Sequence, residues 1–149
     1  MKIALGSDHA GFSLKETIAG HLKATGRPYK DYGVFSEERA DYPDNAALVA
    51  GAVQSGDFDC GIIICGTGIG VSIAANKHQG IRAALCTNAY TALCSREHND
   101  ANVLALGSRV TGPGLALHIT ETFLTTAFGG GRHGLRLEKI NLIEKKLRR

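Results

Sequence analysis

Five short apolar runs, separated by segments with helical periodicity, constrain the fold of this chain more than any other feature. The runs are continuous rather than alternating, which is typical of strands buried on both faces of a parallel sheet. They lie near residues 2–6, 28–33, 60–65, 81–86 and 102–107. Because a helical pattern follows each run, the sequence predicts a Rossmann-like three-layer α/β/α sandwich with about five parallel strands and a trailing C-terminal helix.

The helical segments are marked by apolar residues spaced three and four positions apart. They begin near residues 13, 43, 69, 88, 113 and 134. In the first of them, Ser13 and Glu16 predict a capping box, and Gly26 predicts the helix end. No repeat or linker interrupts the 149 residues, so we expect one domain over residues 1–149.

Composition narrows the class of protein. No apolar stretch is long enough to cross a membrane, and the N-terminus does not resemble a signal peptide, so we expect a cytoplasmic protein that does not bind membranes. The four cysteines show no CxxC spacing, which predicts reduced thiols. The six histidines are scattered, so we expect no metal site.

The net charge of +3 is unevenly distributed along the chain. Residues 132–149 carry seven Lys or Arg and two Glu, hence +5, while the other 131 residues carry −2. A basic C-terminal helix can bind nucleic acid, but no aromatic residue is interleaved with these charges. A solvated helix end is therefore the favoured interpretation, and we expect no nucleic-acid partner.

A glycine-rich turn with the sequence CGTGIG occupies residues 65–70, directly after the third apolar run. Bare N–H groups at a helix start suit an anion. Val71 stands where a dinucleotide fingerprint needs glycine and where a cysteine-phosphatase loop needs arginine, and the lysine of a Walker loop is absent. What remains is Cys65 at an anion-friendly turn, a setting that favours a thiolate. The alternative is that Cys65, like the other three cysteines, simply fills the core.

Polar residues gather at three other places. Asp8 and His9 follow the first run, and Arg109 follows the fifth. A cluster at 96–100 precedes the fifth run, and Arg132 and Arg136 lie one helical turn apart after a triple glycine. Two cations at a helix start oppose the helix dipole, which favours a bound phosphate or carboxylate there. For each cluster the alternative is an ordinary solvated loop or helix end.

Taken together and in order, these motifs resemble the type B ribose-5-phosphate isomerase family, which also includes allose-6-phosphate isomerase and the galactose-6-phosphate isomerase subunits. The resemblance covers nearly the whole chain. The motifs that carry it are GSDHAGF at 6–12, DYP at 41–43, CGTGIG at 65–70, AANK at 74–77, SREHNDAN at 95–102, GSR at 107–109 and GRH at 131–133.

The resemblance implies an aldose–ketose isomerase that interconverts ribose 5-phosphate and ribulose 5-phosphate through an enediolate, with no metal and no other cofactor. Cys65 would move the proton between C1 and C2, His98 would open the furanose ring, and Asp8 would handle a hydroxyl proton. The turn would hold the enediolate oxygens, helped by the Thr67 hydroxyl. The implied substrate contacts, beyond Asp8, are His9, Tyr42, Gly66, Thr67, Gly68, Ile69, Gly70, Asn99, Arg109, Arg132 and Arg136.

Further features of the family extend what the resemblance implies and show which points it leaves open. One branch replaces the cysteine with a glutamate at the position of Val71, so a chain with Cys65 and an apolar residue at 71 resembles the thiol branch. Family members build each pocket from two subunits, which implies a homodimer or homotetramer with shared pockets. The length of the sugar stays open, since allose or galactose 6-phosphate needs only a longer pocket. A non-catalytic phosphosugar-binding subunit is the alternative of another class.

Overall fold

A five-stranded parallel sheet forms the centre of the molecule, in a computed structural model that describes residues 1–147. The strands are β1 (Ile3–Ser7), β2 (Tyr29–Asp31), β3 (Cys60–Cys65), β4 (Ala83–Leu85) and β5 (Val103–Gly107). They lie in the order β2-β1-β3-β5-β4, and every pairing is parallel. Arg148 and Arg149, part of the predicted basic C-terminal end, lie outside the described residues.

Helices cover both faces of this sheet. They are α1 (Phe12–Ala24), α2 (Tyr42–Gln54), α3 (Ile69–Ala75), α4 (Ala89–Asn99), α5 (Pro113–Thr125) and α6 (Arg132–Leu147). Apolar residues of α1, α4 and α5 pack on one face, and those of α2 and α3 pack on the other. The predicted three-layer α/β/α sandwich is therefore confirmed. Within the described residues, no helix combines the length and the apolar character needed to cross a membrane.

Strand β3 shows why the apolar runs are continuous. Ile62 and Ile64 belong to the core on the α1 and α5 side, whereas Ile63 and Cys65 belong to the core on the α2 and α3 side. Successive side chains of a strand point to opposite faces, so a strand covered on both faces has no place for a polar residue. All six residues of β3 are buried.

The structure corrects the predicted start of the first helix. Ser13 makes no capping bond, and the helix begins at Phe12 after Gly11. A Cβ on Gly11 would lie 2.7 Å from the carbonyl oxygen of Ile64, so the chain crosses the end of β3 too closely for any other residue. Asp8 takes over part of the capping role, because its Oδ1 accepts a hydrogen bond of 2.9 Å from the Gly11 N–H.

The two edge strands are shorter than predicted. Strand β2 covers three residues of the predicted 28–33, and β4 covers three of the predicted 81–86, because each pairs on one side only. Helix α3 ends at Ala75, and the side chain of Asn76 then bonds both the N–H and the carbonyl of Ala83, at 2.8 and 2.9 Å. That amide takes the place of a neighbouring strand at the free edge of β4.

Candidate active site

Cys65 ends β3, and its thiol is the centre of the site. Its Sγ accepts a hydrogen bond of 3.1 Å from the N–H of Gly68, and the side chain is 5% exposed. Gly68 has a φ of +78°, which brings its N–H back toward the sulfur. A Cβ at this position would lie 2.9 Å from the backbone of β5, so the turn requires glycine. A donated N–H stabilises a sulfur that carries negative charge.

Two other cysteines have the opposite environment. Burial raises the pKa of the Cys60 thiol to about 12. Burial also raises the pKa of Cys86, although hydrogen bonds from Ser95 and Thr91 partly oppose it. Both thiols stay neutral at physiological pH and pack in the core below α1 and α5. The structure thus distinguishes Cys65 by the backbone N–H that its sulfur accepts on the glycine turn, rather than by exposure.

Thr67 and Tyr42 complete the two sides of the glycine turn. The Thr67 hydroxyl is exposed and accepts a bond of 3.3 Å from the N–H of Ile69, which leaves its own proton free for donation. Tyr42 begins α2, and its ring lies against Gly70, where a Cβ would come within 2.7 Å of the ring. The turn that holds the thiol therefore also carries a hydroxyl donor, and the Tyr42 ring packs against the turn at Gly70.

Arg109 brings a positive charge to the same turn. Its N–H donates to the carbonyl of Gly66 at 3.0 Å, and its guanidinium lies so close that a Cβ on Gly66 would be 3.3 Å from Nη1. Ser108 fixes this arrangement, since its N–H donates to the backbone carbonyl of Cys65 and its hydroxyl donates to the carbonyl of Ala10. The ends of β3 and β5 are thus tied to the loop that follows β1.

Asp8 and His9 lie in that loop. Asp8 continues β1 beyond its end, because its N–H donates to the carbonyl of Ile64 at 3.1 Å, and its side chain is buried. The His9 ring is half-buried, and its Nδ1 lies 3.1 Å from the carbonyl oxygen and 3.2 Å from the N–H nitrogen of Ala40. Both residues therefore belong to the same carboxyl edge of the sheet as Cys65.

His98 and Asn99 lie at the opposite edge of the sheet. They end α4, and only residues 100–102 separate them from the first residue of β5. The Asn99 carbonyl accepts a bond of 3.0 Å from Arg82, which precedes β4. The five residues of β5 put about 13 Å between the two edges, at roughly 3.3 Å per residue. One chain therefore does not bring His98 to its own Cys65.

The beginning of α6 docks against this same opposite edge. The imidazole rings of His98 and His133 are stacked, with centroids 4.4 Å apart and planes 10° from parallel. Partial burial lowers the pKa of His133, and the neighbouring His98, Arg132 and Arg136 lower it further. Arg132 and Arg136 are exposed, one turn apart. His98, His133 and the two arginines therefore lie together at the opposite edge, where the Glu97 carboxylate also lies 3.5 Å from His98.

Sequence reasoning missed two of these contacts. The stacking of His133 on His98 joins residues 35 positions apart, and the bonds of Ala40 to His9 join a backbone group to a side chain 31 positions away. The only signal was the GRH motif, whose histidine follows the first of the two arginines. No pattern pointed to Ala40. Among the described residues, no group of three His, Cys, Asp or Glu could hold a metal ion.

The carboxyl edge has the groups that proton transfer at carbon requires. A thiolate can take a proton from a carbon next to a carbonyl, provided that the negative charge developing on oxygen is stabilised. The Thr67 hydroxyl and the N–H groups of the turn follow Cys65 directly in the chain, and Arg109 supplies a cation for an anionic substrate. The arrangement suits the enolisation of a small phosphorylated carbonyl compound.

Comparison with known proteins agrees with this chemistry. The family model described as Ribose/Galactose Isomerase matches residues 3–140. Ribose-5-phosphate isomerase B of Escherichia coli (strain K12) is 53% identical over 145 residues, which are 97% of each chain. A solved ribose-5-phosphate isomerase B from Clostridium thermocellum is 58% identical with a TM-score of 0.97, and the match covers 99% of both chains.

A third relative was solved with a ligand. It is the ribose-5-phosphate isomerase B of Mycoplasma genitalium with bound ribulose-5-phosphate, 44% identical with a TM-score of 0.92, and the match covers 97% of this chain and 96% of that one. The resemblance seen in the motifs is thereby confirmed over almost the full length. This chain belongs to the ribose/galactose isomerase family, in its type B ribose-5-phosphate isomerase branch.

Proposed function

We propose that this protein interconverts ribose 5-phosphate and ribulose 5-phosphate by moving a proton between C1 and C2. The observation that carries the proposal is the Cys65 thiol, held by the Gly68 N–H on the same turn as the Thr67 hydroxyl. The E. coli and C. thermocellum relatives bear the name of this activity, and the M. genitalium relative binds its ketose.

The reaction begins with the closed sugar. His98 gives a proton to the ring oxygen while Asp8 takes one from the anomeric hydroxyl, and the C1 aldehyde forms. Cys65 then removes the proton from C2, and the electron pair moves to the aldehyde oxygen to give an enediolate. The turn and Thr67 stabilise that charge where it develops. Cys65 returns the proton to C1, while the proton of the C2 hydroxyl moves to the oxygen on C1, so that C2 becomes the carbonyl carbon. The step therefore needs no oxidant or reductant.

The phosphate would be held from two sides. His9 and Arg109 approach it from the carboxyl edge of one chain, and Arg132 and Arg136 from the other edge of a second chain. Because about 13 Å of sheet separates these groups within one chain, a pocket that contains all of them requires two chains. We therefore propose a homodimer or homotetramer with shared pockets, in which Asn99 and His98 of the partner subunit contact the sugar.

The exposed apolar residues support this assembly. Helix α6 has one buried residue, Leu137, while Ile140, Leu142 and Ile143 are 45–59% exposed. A groove of about 790 Å³ lies between α6 and the segment around β4. On α3, Ile69 is also half exposed. Covering such apolar surfaces with a second chain removes them from water.

The direct test is turnover of ribose 5-phosphate by the purified protein, with and without a chelator. We expect equal formation of ribulose 5-phosphate in both samples, whereas loss of activity with chelator would contradict a metal-free mechanism. Specificity constants for ribose 5-phosphate, allose 6-phosphate and galactose 6-phosphate, measured side by side, decide the length of the sugar. No turnover of any of the three would favour the non-catalytic subunit.

The compartment belongs to the same proposal. All four cysteines are free thiols, three of them buried. Reduced thiols are typical of a reducing compartment, so we place the reaction in the cytoplasm. Detection of the activity in the cytosolic fraction of cells is the corresponding measurement.

A further inference from the structure

Lys15 is a buried charged residue that the proposed mechanism does not use. Its side chain is 0% exposed, and its ammonium forms ion pairs with Asp31 and, at 2.7 Å, with Glu16. The ammonium also lies over two aromatic rings, 5.4 Å from the Phe12 centroid and 5.6 Å from the Phe35 centroid. Burying an ammonium is costly even when it is paired, and an apolar side chain of similar length would fill the same space. The contacts of Lys15 therefore invite a functional explanation.

These contacts fix the beginning of the segment from residue 32 to residue 41, which joins β2 to α2. Asp31 uses its second oxygen, Oδ1, to accept a bond of 2.8 Å from the Gly33 N–H. Gly33 in turn accepts from the N–H of Ser7 at 2.6 Å. Phe35 belongs to the segment itself and covers the Lys15 ammonium. Lys15 thus reaches the 32–41 segment through Asp31 and through Phe35.

The other end of the 32–41 segment holds His9. The Ala40 backbone offers Nδ1 both a donor and an acceptor, at 3.2 and 3.1 Å. When Nδ1 accepts from the Ala40 N–H, the neutral ring carries its proton on Nε2. In the charged ring, Nδ1–H donates to the Ala40 carbonyl and Nε2 again carries a proton, whereas the other neutral tautomer donates from Nδ1 and leaves Nε2 as an acceptor. Ala40 thus fixes the ring so that Nε2 faces away from it, and the first two states offer the Nε2–H donor that a phosphate oxygen needs.

We propose that Lys15 is a positioning residue for phosphate binding. Together with Asp31 and Phe35 it holds the 32–41 segment in place, and Ala40 in that segment orients the imidazole of His9. The inference rests on the proposed function, in which His9 binds the phosphate. A purely structural Lys15 would stabilise α1 against β2 without affecting His9.

The first experiment compares Lys15→Met with the wild-type protein. Loss of a charge-assisted hydrogen bond weakens binding by roughly 10–150-fold. In Lys15→Met the His9 donor would be misdirected rather than removed, so we expect a loss of phosphate affinity at the lower end of this range. We expect KM for ribose 5-phosphate and the inhibition constant of inorganic phosphate to rise about tenfold, with kcat within about twofold. Lys15→Arg keeps the charge and should recover most of the affinity. Lys23→Met, an exposed lysine on the same helix, is the matched control and should leave both constants unchanged.

A double-variant cycle distinguishes positioning from general stability. If Lys15 acts through His9, then Lys15→Met combined with His9→Ala binds phosphate no more weakly than His9→Ala alone. If the losses of phosphate affinity caused by Lys15→Met and His9→Ala multiply in the double variant, the inference is overturned. A fall in kcat with unchanged KM would overturn it as well. Phe35→Ala approaches the same contact from an exposed side chain, so it keeps the fold if Lys15→Met does not. It should raise the phosphate constants severalfold, again only while His9 is present.

Calorimetric titration with inorganic phosphate tests the role of Lys15 separately from the proposed isomerase function. If the wild-type protein does not convert ribose 5-phosphate, the proposed function fails, but phosphate binding by the same variants still decides the role of Lys15. If the wild-type protein converts the sugar and Lys15→Met and Phe35→Ala bind phosphate normally, only the role of Lys15 is refuted. Absence of any phosphate binding by the wild-type protein also overturns it.

Discussion

Replacing Cys65 with serine changes one atom at the proposed catalytic centre. A serine hydroxyl can still accept the bond from the Gly68 N–H, now 3.1 Å from the sulfur, so no buried donor is left without a partner. We therefore expect the free energy of unfolding to change by about 1 kcal/mol or less. Catalysis should respond very differently, because a hydroxyl is far too weak an acid to supply the anion that removes a proton from carbon.

The expected loss in kcat is at least the roughly 10²–10⁴-fold of a missing general base, or about 2.7–5.4 kcal/mol of activation free energy. The assay is conversion of ribose 5-phosphate at saturating substrate, with thermal unfolding measured on the same samples. Cys94→Ser, at a half-buried thiol outside the site, is the control and should retain full turnover.

Iodoacetamide adds a second readout on the same proteins. It should inactivate the wild-type and Cys94→Ser proteins, and substrate should protect both. Near-full turnover by a folded Cys65→Ser protein would refute the reasoning, because another group would then have to move the proton.

Three further predictions address other parts of the structure. Arg132→Ala and Arg136→Ala should each weaken inorganic phosphate and substrate by roughly 1.5–3 kcal/mol, and unchanged affinity in both would return these residues to ordinary solvated positions. Glu121 has a lowered pKa, chiefly because it accepts hydrogen bonds from Arg27. Its stabilisation is therefore present above the ordinary carboxyl pKa of about 4.3 and is lost as pH falls through the lower folded value. The free energies of unfolding of Glu121→Gln and the wild-type protein, measured in urea, should accordingly differ at pH 7 and converge in acid. A difference that stays the same at both pH values would contradict this. Gly68→Ala should destabilise the protein by about 1–3 kcal/mol in the same assay and reduce turnover, since a Cβ at a φ of +78° meets the backbone of β5.

The sheet was predictable because burial on both faces leaves a direct trace in the sequence. Ile62, Ile63 and Ile64 form an unbroken apolar run whose members face alternate cores. The start of α1 was not predictable from the same kind of pattern. Ser13 and Glu16 have the spacing of a capping box, but the close passage of Gly11 over β3 decides where the helix begins, and that contact is tertiary.

The site likewise contains residues that are close in sequence, which could be predicted, and contacts between distant residues, which could not. Cys65, Thr67 and the glycines of the turn are neighbours in sequence, so their common place at the end of a buried strand could be predicted before the fold was known. The contacts that orient His9 and His98 come from Ala40 and His133, each more than 30 residues away. Charge arguments predicted a bound phosphate or carboxylate near Arg132. Only the direction of α4, together with the stacking of His133 on His98, shows that Arg132 lies at the opposite edge of the sheet from the thiol.

The separation of Cys65 from Arg132 has a genetic counterpart. In a dimer whose pockets each combine one edge from either chain, Cys65→Ser damages one edge and Arg132→Ala damages the other. A mixed dimer of these two variants contains one pocket with both lesions and one pocket with none. Random pairing makes about half of all dimers mixed, and half of the pockets in a mixed dimer are intact. At substrate concentrations where each variant alone is nearly inactive, the two expressed together therefore regain about a quarter of wild-type activity. Two defective alleles of this gene would thus complement each other in one cell.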